Sequence, residues 1–400
     1  MRRTMLTVAA LVGALAVPAL PAQAATTCNG LAVTISGTAG NDSIIGTAGD
    51  DVIAVDAGND LVLGMGGNDT VCLGAGDDLF DGGTGDDTVV FDAVADGADT
   101  VVGDSGFDSV LYSARTAAVS VTLDGVNNDG ATGEHDNIGA DIARIVGGAG
   151  SDVIDAGAAT VQTVVLGGAG DDTLTTTFNA AGEAGDDTVR LLNGGSGSLF
   201  GNDGNDKIFG GPVRDDLSGG NGDDKLFGGG GDDTIFAGPG NDLLAGEAGN
   251  DVLFGETGAD ELIGGLGTDS MFGGDGDDTA DSLVSLDGND SFSGGVGADT
   301  ANYGPRQFGA GRTMTISLDG VADDGEQGEG DNNGTDVENV VGAVGPNVIT
   351  GNSSPNVLQG GQSGDVIRGA DGIMGNDRVI GGFGADVCTA DPGDVKDCEF

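Results

Sequence analysis

Aspartate recurs every ninth residue over long stretches of this chain. Read in nines from Gly201, the units are GNDGNDKIF, GGPVRDDLS, GGNGDDKLF, GGGGDDTIF, AGPGNDLLA, GEAGNDVLF, GETGADELI, GGLGTDSMF and GGDGDDTAD. Position six is Asp206, Asp215, Asp224, Asp233, Asp242, Asp251, Asp260, Asp269 and Asp278. A second run over residues 37–90 has Asp42, Asp51, Asp60, Asp69, Asp78 and Asp87 at that position. Asp290, Asp299, Asp377 and Asp386 keep the local pattern where the spacing loosens. Repeated carboxylates beside glycine turns suit a hard cation. Ca²⁺ takes six to eight oxygens, backbone carbonyls included, and fits better than Mg²⁺, which demands near-ideal octahedral geometry. Turn formation alone would accept Asn and Asp alike. Position six in the two runs is always Asp, whereas Asn59, Asn68, Asn205, Asn241 and Asn250 stand at position five, so a charge is required at six.

The elements that position these oxygens follow from the same period. Nine residues fit neither a 3.6-residue helix nor a hairpin ladder. Position eight is apolar throughout, for example Ile208, Leu226, Leu244 and Leu262. Three residues make a short strand and the glycines make the turn. Two units then close a coil of about eighteen residues, with strands stacked at about 4.8 Å in two parallel sheets. The expected class is all-β, a parallel β-roll or β-solenoid of GGxGxDx-apolar-x units with two short β inserts. Asp206, Asp224 and Asp242 would form one column, and Asp215, Asp233 and Asp251 the other. On the order of ten to twenty ions would fit between the coils by this geometry.

Composition supports a thin core and an acidic surface. The 400 residues include 82 Gly and no Trp, and the formal charge is −53. That charge excludes a nucleic-acid binder, which needs a basic face. The chain starts Met1-Arg2-Arg3, continues with an apolar run to Leu20, and has Ala22-Gln23-Ala24 as a cleavage site. Residues 1–24 therefore read as a secretory signal peptide, with no later membrane span, and the mature chain is expected outside the cell. Four Cys allow three pairings. Pairing within each end, Cys28 with Cys72 and Cys388 with Cys398, would pin both termini. Zinc does not fit, since there is no CxxC and His135 is the one histidine.

These units, GGGGDDTIF and GGNGDDKLF among them, resemble the RTX or haemolysin-type calcium-binding nonapeptide. The resemblance spans most of residues 37–389 apart from two inserts. It implies a parallel β-roll with Ca²⁺ between successive coils, held by position-six carboxylates and turn carbonyls. Asn347 and Asn356 replace Asp, Val213 replaces the position-four glycine, and the stretch around Leu199 lacks the Asp. There is no room for a catalytic or pore-forming domain, so the family label does not imply a toxin.

The inserts are two copies of one segment. Val121-Thr122-Leu123-Asp124-Gly125-Val126 matches Ile316-Ser317-Leu318-Asp319-Gly320-Val321, and Tyr112 and Tyr303 open the copies. The expected divisions are an N-terminal array 25–111, a first insert 112–146, degenerate repeats 147–200, a central array 201–302, a second insert 303–341, and C-terminal repeats with a disulfide cap 342–400. Each insert reads as a hairpin-like extension or elongated coil. A solvated acidic loop is expected at its tip, with an extra Ca²⁺ through Asp124, Asp129, Glu134 and Asp136 as the other reading. His135, absent from the second copy, is expected to be an exposed loop residue. No HExxH, GxSxG or P-loop occurs. The reading is a secreted, non-enzymatic calcium-binding repeat protein. A calcium-rigidified adhesive or matrix protein touching cell wall or polysaccharide is the alternative. A polysaccharide-active enzyme fits less well, because the basic residues are scattered.

Overall fold

A computed structural model describes residues 26–192, 194–281, 288–306, 312–369 and 371–398. The expected signal peptide lies outside them. Every strand is short, two to six residues, as glycine-punctuated units require. Among the described residues the strands form two fifteen-stranded and two five-stranded sheets, plus a small hairpin of Thr27–Cys28 with Leu31–Ala32. Pairing along the stacks is parallel, and antiparallel pairs occur in the N-terminal hairpin and in the two inserts. The chain is thus a parallel β-solenoid.

Register shows the coil. Ile208 pairs with Leu226 and Leu226 with Leu244 on one face, while Leu217 pairs with Ile235 and Ile235 with Leu253 on the other. All six side chains are buried inward. Strands alternate outward and inward side chains, so one apolar residue per short strand is enough to line the interior. Elsewhere the coil changes length. Ladder partners are 21 residues apart from Asp78 to Asp99, but 20, 15 and 19 apart from Asp152 through Asp172 and Asp187 to Asp206.

Each insert enlarges one half-coil and interrupts one face. In the first, Val119–Thr122 and Gly130–Ala131 form an antiparallel pair. Its last strand, Asn137–Ile138, ends the stack carried by Thr100–Ser105, while Val119–Thr122 begins the stack continued by Val153–Asp155. The second insert does the same on the opposite face, through Asn332–Asn333 and Met314–Ser317.

Both disulfides join within one end: Cys28 to Cys72 and Cys388 to Cys398. At the C-terminal end Lys396 stands at the inner position opposite Val379, and its Nζ donates to the Cys388 carbonyl at 2.7 Å. A charge at the inner position of a last strand blocks further pairing.

Candidate metal centre

The aspartates lie in columns, one per edge of the roll. Each residue precedes a short strand, so its side chain turns back along the stack. The Asp206 amide donates to Asp224 Oδ1 at 2.7 Å, and the Asp224 amide to Asp242 Oδ1 at 2.7 Å. On the other edge the Asp215 and Asp233 amides donate to Asp233 and Asp251 Oδ1, each at 2.8 Å. The same bond links Asp42 to Asp60, Asp51 to Asp69, Asp60 to Asp78 and Asp69 to Asp87. It continues through Asp242 to Asp260, Asp251 to Asp269, Asp260 to Asp278, Asp269 to Asp290 and Asp278 to Asp299. Near the C-terminus Asp377 and Asp386 accept from Asn356 and Asp365. From Asp60 and Asp69 onward, one oxygen of each of these carboxylates is therefore spent on the backbone of the preceding coil.

The second oxygen is the informative one. Oδ2 of Asp60, Asp69, Asp78, Asp87, Asp206, Asp224, Asp233, Asp242, Asp251, Asp260, Asp278, Asp299, Asp377 and Asp386 is buried and accepts no hydrogen bond. A buried acceptor left unpaired costs about 1–3 kcal/mol, and more when charged. Where it faces matters. A methyl group built on Gly201 would lie 2.1 Å from Asp206 Oδ2 and 2.5 Å from the Gly219 carbonyl oxygen of the next coil. At Gly255 the corresponding distances are 2.4 Å to Asp260 Oδ2 and 2.6 Å to the Gly273 oxygen. Two acceptors thus flank one small space that only glycine leaves open.

Asn347 shows what that space asks for. It stands at position six, and its Nδ2 donates to the Gly360 carbonyl at 2.8 Å and to Asp365 Oδ1 at 2.9 Å. The amide supplies protons where a carboxylate has none. In the aspartate coils no such proton donor is present, and the acceptors there, one carboxylate oxygen with backbone carbonyls, are all oxygen, the ligand type that Ca²⁺ prefers. Among the described residues no three His, Cys, Asp or Glu side chains converge on one metal position, so a metal held at an aspartate turn would draw mostly on carbonyls.

Burial, first, and neighbouring carboxylates raise the affinity of these groups for protons, against the backbone hydrogen bond that lowers it. Asp206 is pushed up to about 6, and Asp224 and Asp233 to about 7. A buried charge without a counter-ion is what raises them.

Three departures from the regular pattern alter individual turns. Asp42, Asp51 and Asp215 use Oδ2 locally, accepting the amides of Thr38, Thr47 and Gly211, each at 2.6 Å. At Asp60, Asp78 and Asp242 position one carries Val55, Leu73 or Ala237, all buried, so a side chain stands where other turns have glycine. Between Asp108 and Asp215 one edge has no carboxylate: Ala143, Thr163, Phe178 and Gly197 precede its strands. The other edge stays intact there through Asp152, Asp172 and Asp187.

Position five forms a second, exposed ladder running the opposite way. The Asn205 amide donates to Asp186 Oδ1, that of Asp223 to Asn205 Oδ1, and that of Asn241 to Asp223 Oδ1, at 2.8 to 2.9 Å. From Asp186 to Asn241 the alternation of Asp and Asn keeps like charges from adjoining, whereas Asp171 adjoins Asp186 directly.

The inserts overturn the expectation of a solvated acidic tip. Asp129, Glu134 and Asp136 are buried, and only Asp124 is exposed, where it accepts the Val126 amide at 2.9 Å. Nor do the four converge on an ion. Asp129 is held by the Ile138 and Thr122 amides, at 2.8 and 2.6 Å, and Asp136 by the Asp99 amide at 2.9 Å. Arg115 brings its guanidinium within 2.8 Å of both Glu134 and Asp96. His135 is exposed, with φ of 138°.

A family model for the RTX calcium-binding nonapeptide repeat (4 copies) matches residues 36–71, 56–89, 94–110, 138–160, 164–177, 191–212, 210–244, 245–280, 279–304, 341–373 and 375–394, more than half of the chain. Most of both inserts falls outside these matches. No curated protein matches the sequence.

Proposed function

Since the chain belongs to the RTX calcium-binding nonapeptide repeat family, we propose that it is a secreted protein whose roll folds around Ca²⁺ ions lodged between stacked coils, and that it is not an enzyme. The carrying observation is the facing of two acceptors, as between Asp206 Oδ2 and the Gly219 carbonyl, with no proton between them. Bound Ca²⁺ supplies two positive charges to such a pair. The residues fitted to hold it have an Oδ2 that accepts no hydrogen bond and lies beside the position-one glycine; they include Asp69, Asp87, Asp206, Asp224, Asp233, Asp251, Asp260, Asp278, Asp299 and Asp386, and Asp108, Asp172, Asp187 and Asp365 share both features. Backbone amides fix each Oδ1, which orients Oδ2 toward the next coil.

Calcium and folding are then one event. A chain at −53 resists compaction, and its interior is two facing rows of mostly aliphatic side chains. Ions that bind the folded array alone add their binding energy to its stability. Outside the cell calcium is plentiful, and the two disulfides suit that oxidising compartment. Circular dichroism of the purified chain in chelator and in millimolar calcium tests this. The expected result is little β structure without calcium and much with it; equal β content in both would refute coupled folding.

The alternative, a calcium-rigidified surface or matrix protein, is favoured by one observation. Phe236, Phe254 and Phe272 stack outward on one face with ring centroids 4.9 and 5.0 Å apart, and Phe236 and Phe272 are exposed. Retention of the calcium-loaded chain on insoluble polysaccharide would support that role, and passage without delay would count against it.

A further inference from the structure

Two of the thirteen basic residues, Arg115 and Arg306, are among the largest fully buried side chains of the chain. Each follows a buried tyrosine by three residues, and each backbone amide closes a turn onto that tyrosine's carbonyl. Arg115 reaches Asp96 and Glu134 at 2.8 Å, and Arg306 reaches Glu329 at 2.9 Å and Asp331 at 3.8 Å. Carboxylates of the same inserts continue the columns of the roll, and Asp331 is one that Arg306 meets. Asp136 accepts the Asp99 amide and ends one stack; Asp331 accepts the Asp290 amide and ends another. Glu134 takes the Asp96 amide at 2.9 Å. Burying an unpaired charge is prohibitive, whereas a paired and hydrogen-bonded one is tolerated. At both inserts the counter-charge comes from the protein itself.

We propose that Arg115 and Arg306 are positioning residues that take the place of a metal ion at the two inserts. The inserts then hold their fold when calcium is withdrawn, and the ends of their strands template the arrays on either side. The first insert pairs with Thr100–Ser105 on one side and with Val153–Asp155 on the other, and so presents register to both. Only the contrast with the arrays rests on the calcium reading above; the role of the arginines does not.

Residue-resolved hydrogen exchange of the full chain in chelator tests this, with Arg115→Met and Arg306→Met compared. The expected result is protection of the Asp96, Asp99 and Ala131 amides in the parent. Arg115→Met should lose it by on the order of a hundred-fold, since breaking a buried pair is strongly destabilising, while the second insert keeps its protection. Arg306→Met should do the reverse, exposing the Glu326 amide, which donates to Glu329 Oε2. Arg115→Lys, which restores a positive charge, should recover part of the protection. Dichroism in calcium should show the arrays still folded in both Met variants. Rapid exchange of both inserts in the chelated parent, or equal protection in parent and Arg115→Met, would overturn the proposal. Arrays that also stay protected in chelator would refute calcium-coupled folding and leave the arginine comparison decisive.

Discussion

The Asn347 side-chain amide donates to the Gly360 carbonyl across 2.8 Å, in the position where Asp206 turns an unprotonated oxygen toward the Gly219 carbonyl. Two side chains that differ by one group thus solve the same contact in different ways. One brings a proton donor, and the other leaves two acceptors facing each other.

Asn347→Asp should convert a metal-independent contact into a metal-dependent one. Without calcium the change leaves two buried acceptors facing each other, at a cost of about 1–3 kcal/mol. Calorimetric titration should count one more ion than in the parent, and the calcium midpoint for folding should rise. An unchanged ion count would contradict the assignment.

Gly255→Ala should remove a site without breaking the roll. The new methyl would stand 2.4 Å from Asp260 Oδ2 and 2.6 Å from the Gly273 oxygen, whereas Gly40 has nothing within 4 Å of a built Cβ. The chain already carries Ala237 at the equivalent position. Calcium stoichiometry should fall by one for Gly255→Ala and stay constant for Gly40→Ala.

Protons and calcium should compete. Burial raises Asp206 to about 6 and Asp224 and Asp233 to about 7, from an ordinary 3.8. The folded state then binds protons more tightly than the unfolded chain, so the metal-free roll loses stability as pH rises from about 4 to about 7. Calcium needs the ionised form, so its affinity should rise over the same window. Dichroism in chelator should show more β structure at pH 5.5 than at pH 8, and calcium affinity should be weaker at pH 5.5.

Asn205→Asp, between Asp186 and Asp223, should place four carboxylates in succession along the exposed ladder, from Asp171 to Asp223. The cost should be below about 1 kcal/mol and should shrink in high salt. Thermal melts at low and high ionic strength in saturating calcium would measure it.

Much of this was legible in the residues, because a strict period is a direct image of a stacked coil. Position-six Asp and position-eight Leu or Ile gave the columns and the interior, as Asp224 and Leu226 show. The split of each carboxylate between a bonded and an unbonded oxygen was not legible, since it depends on side-chain direction across coils. Of the carboxylate-free edge, the turn at Gly197 showed as the stretch around Leu199 without Asp, but Ala143, Thr163 and Phe178 did not, because coils of 15, 19 and 20 residues break the spacing that reveals the repeat. The buried arginines were masked by a shift. Four residues separate Arg115 from Val119 and eight separate Arg306 from Met314, so a gapless comparison of the inserts leaves them unaligned. The shared Tyr-x-x-Arg at Tyr112 and Tyr303 was the available signal.

Crystals grown with calcium, and examined for its anomalous scattering, test the central claim most directly. Ions should lie between coils beside Asp206, Asp224 and Asp260 on one edge and Asp233 and Asp251 on the other, with none beside Gly197 or Asn347. Coils lined by those aspartates and free of anomalous signal, or aspartate columns out of register with each other, would contradict it.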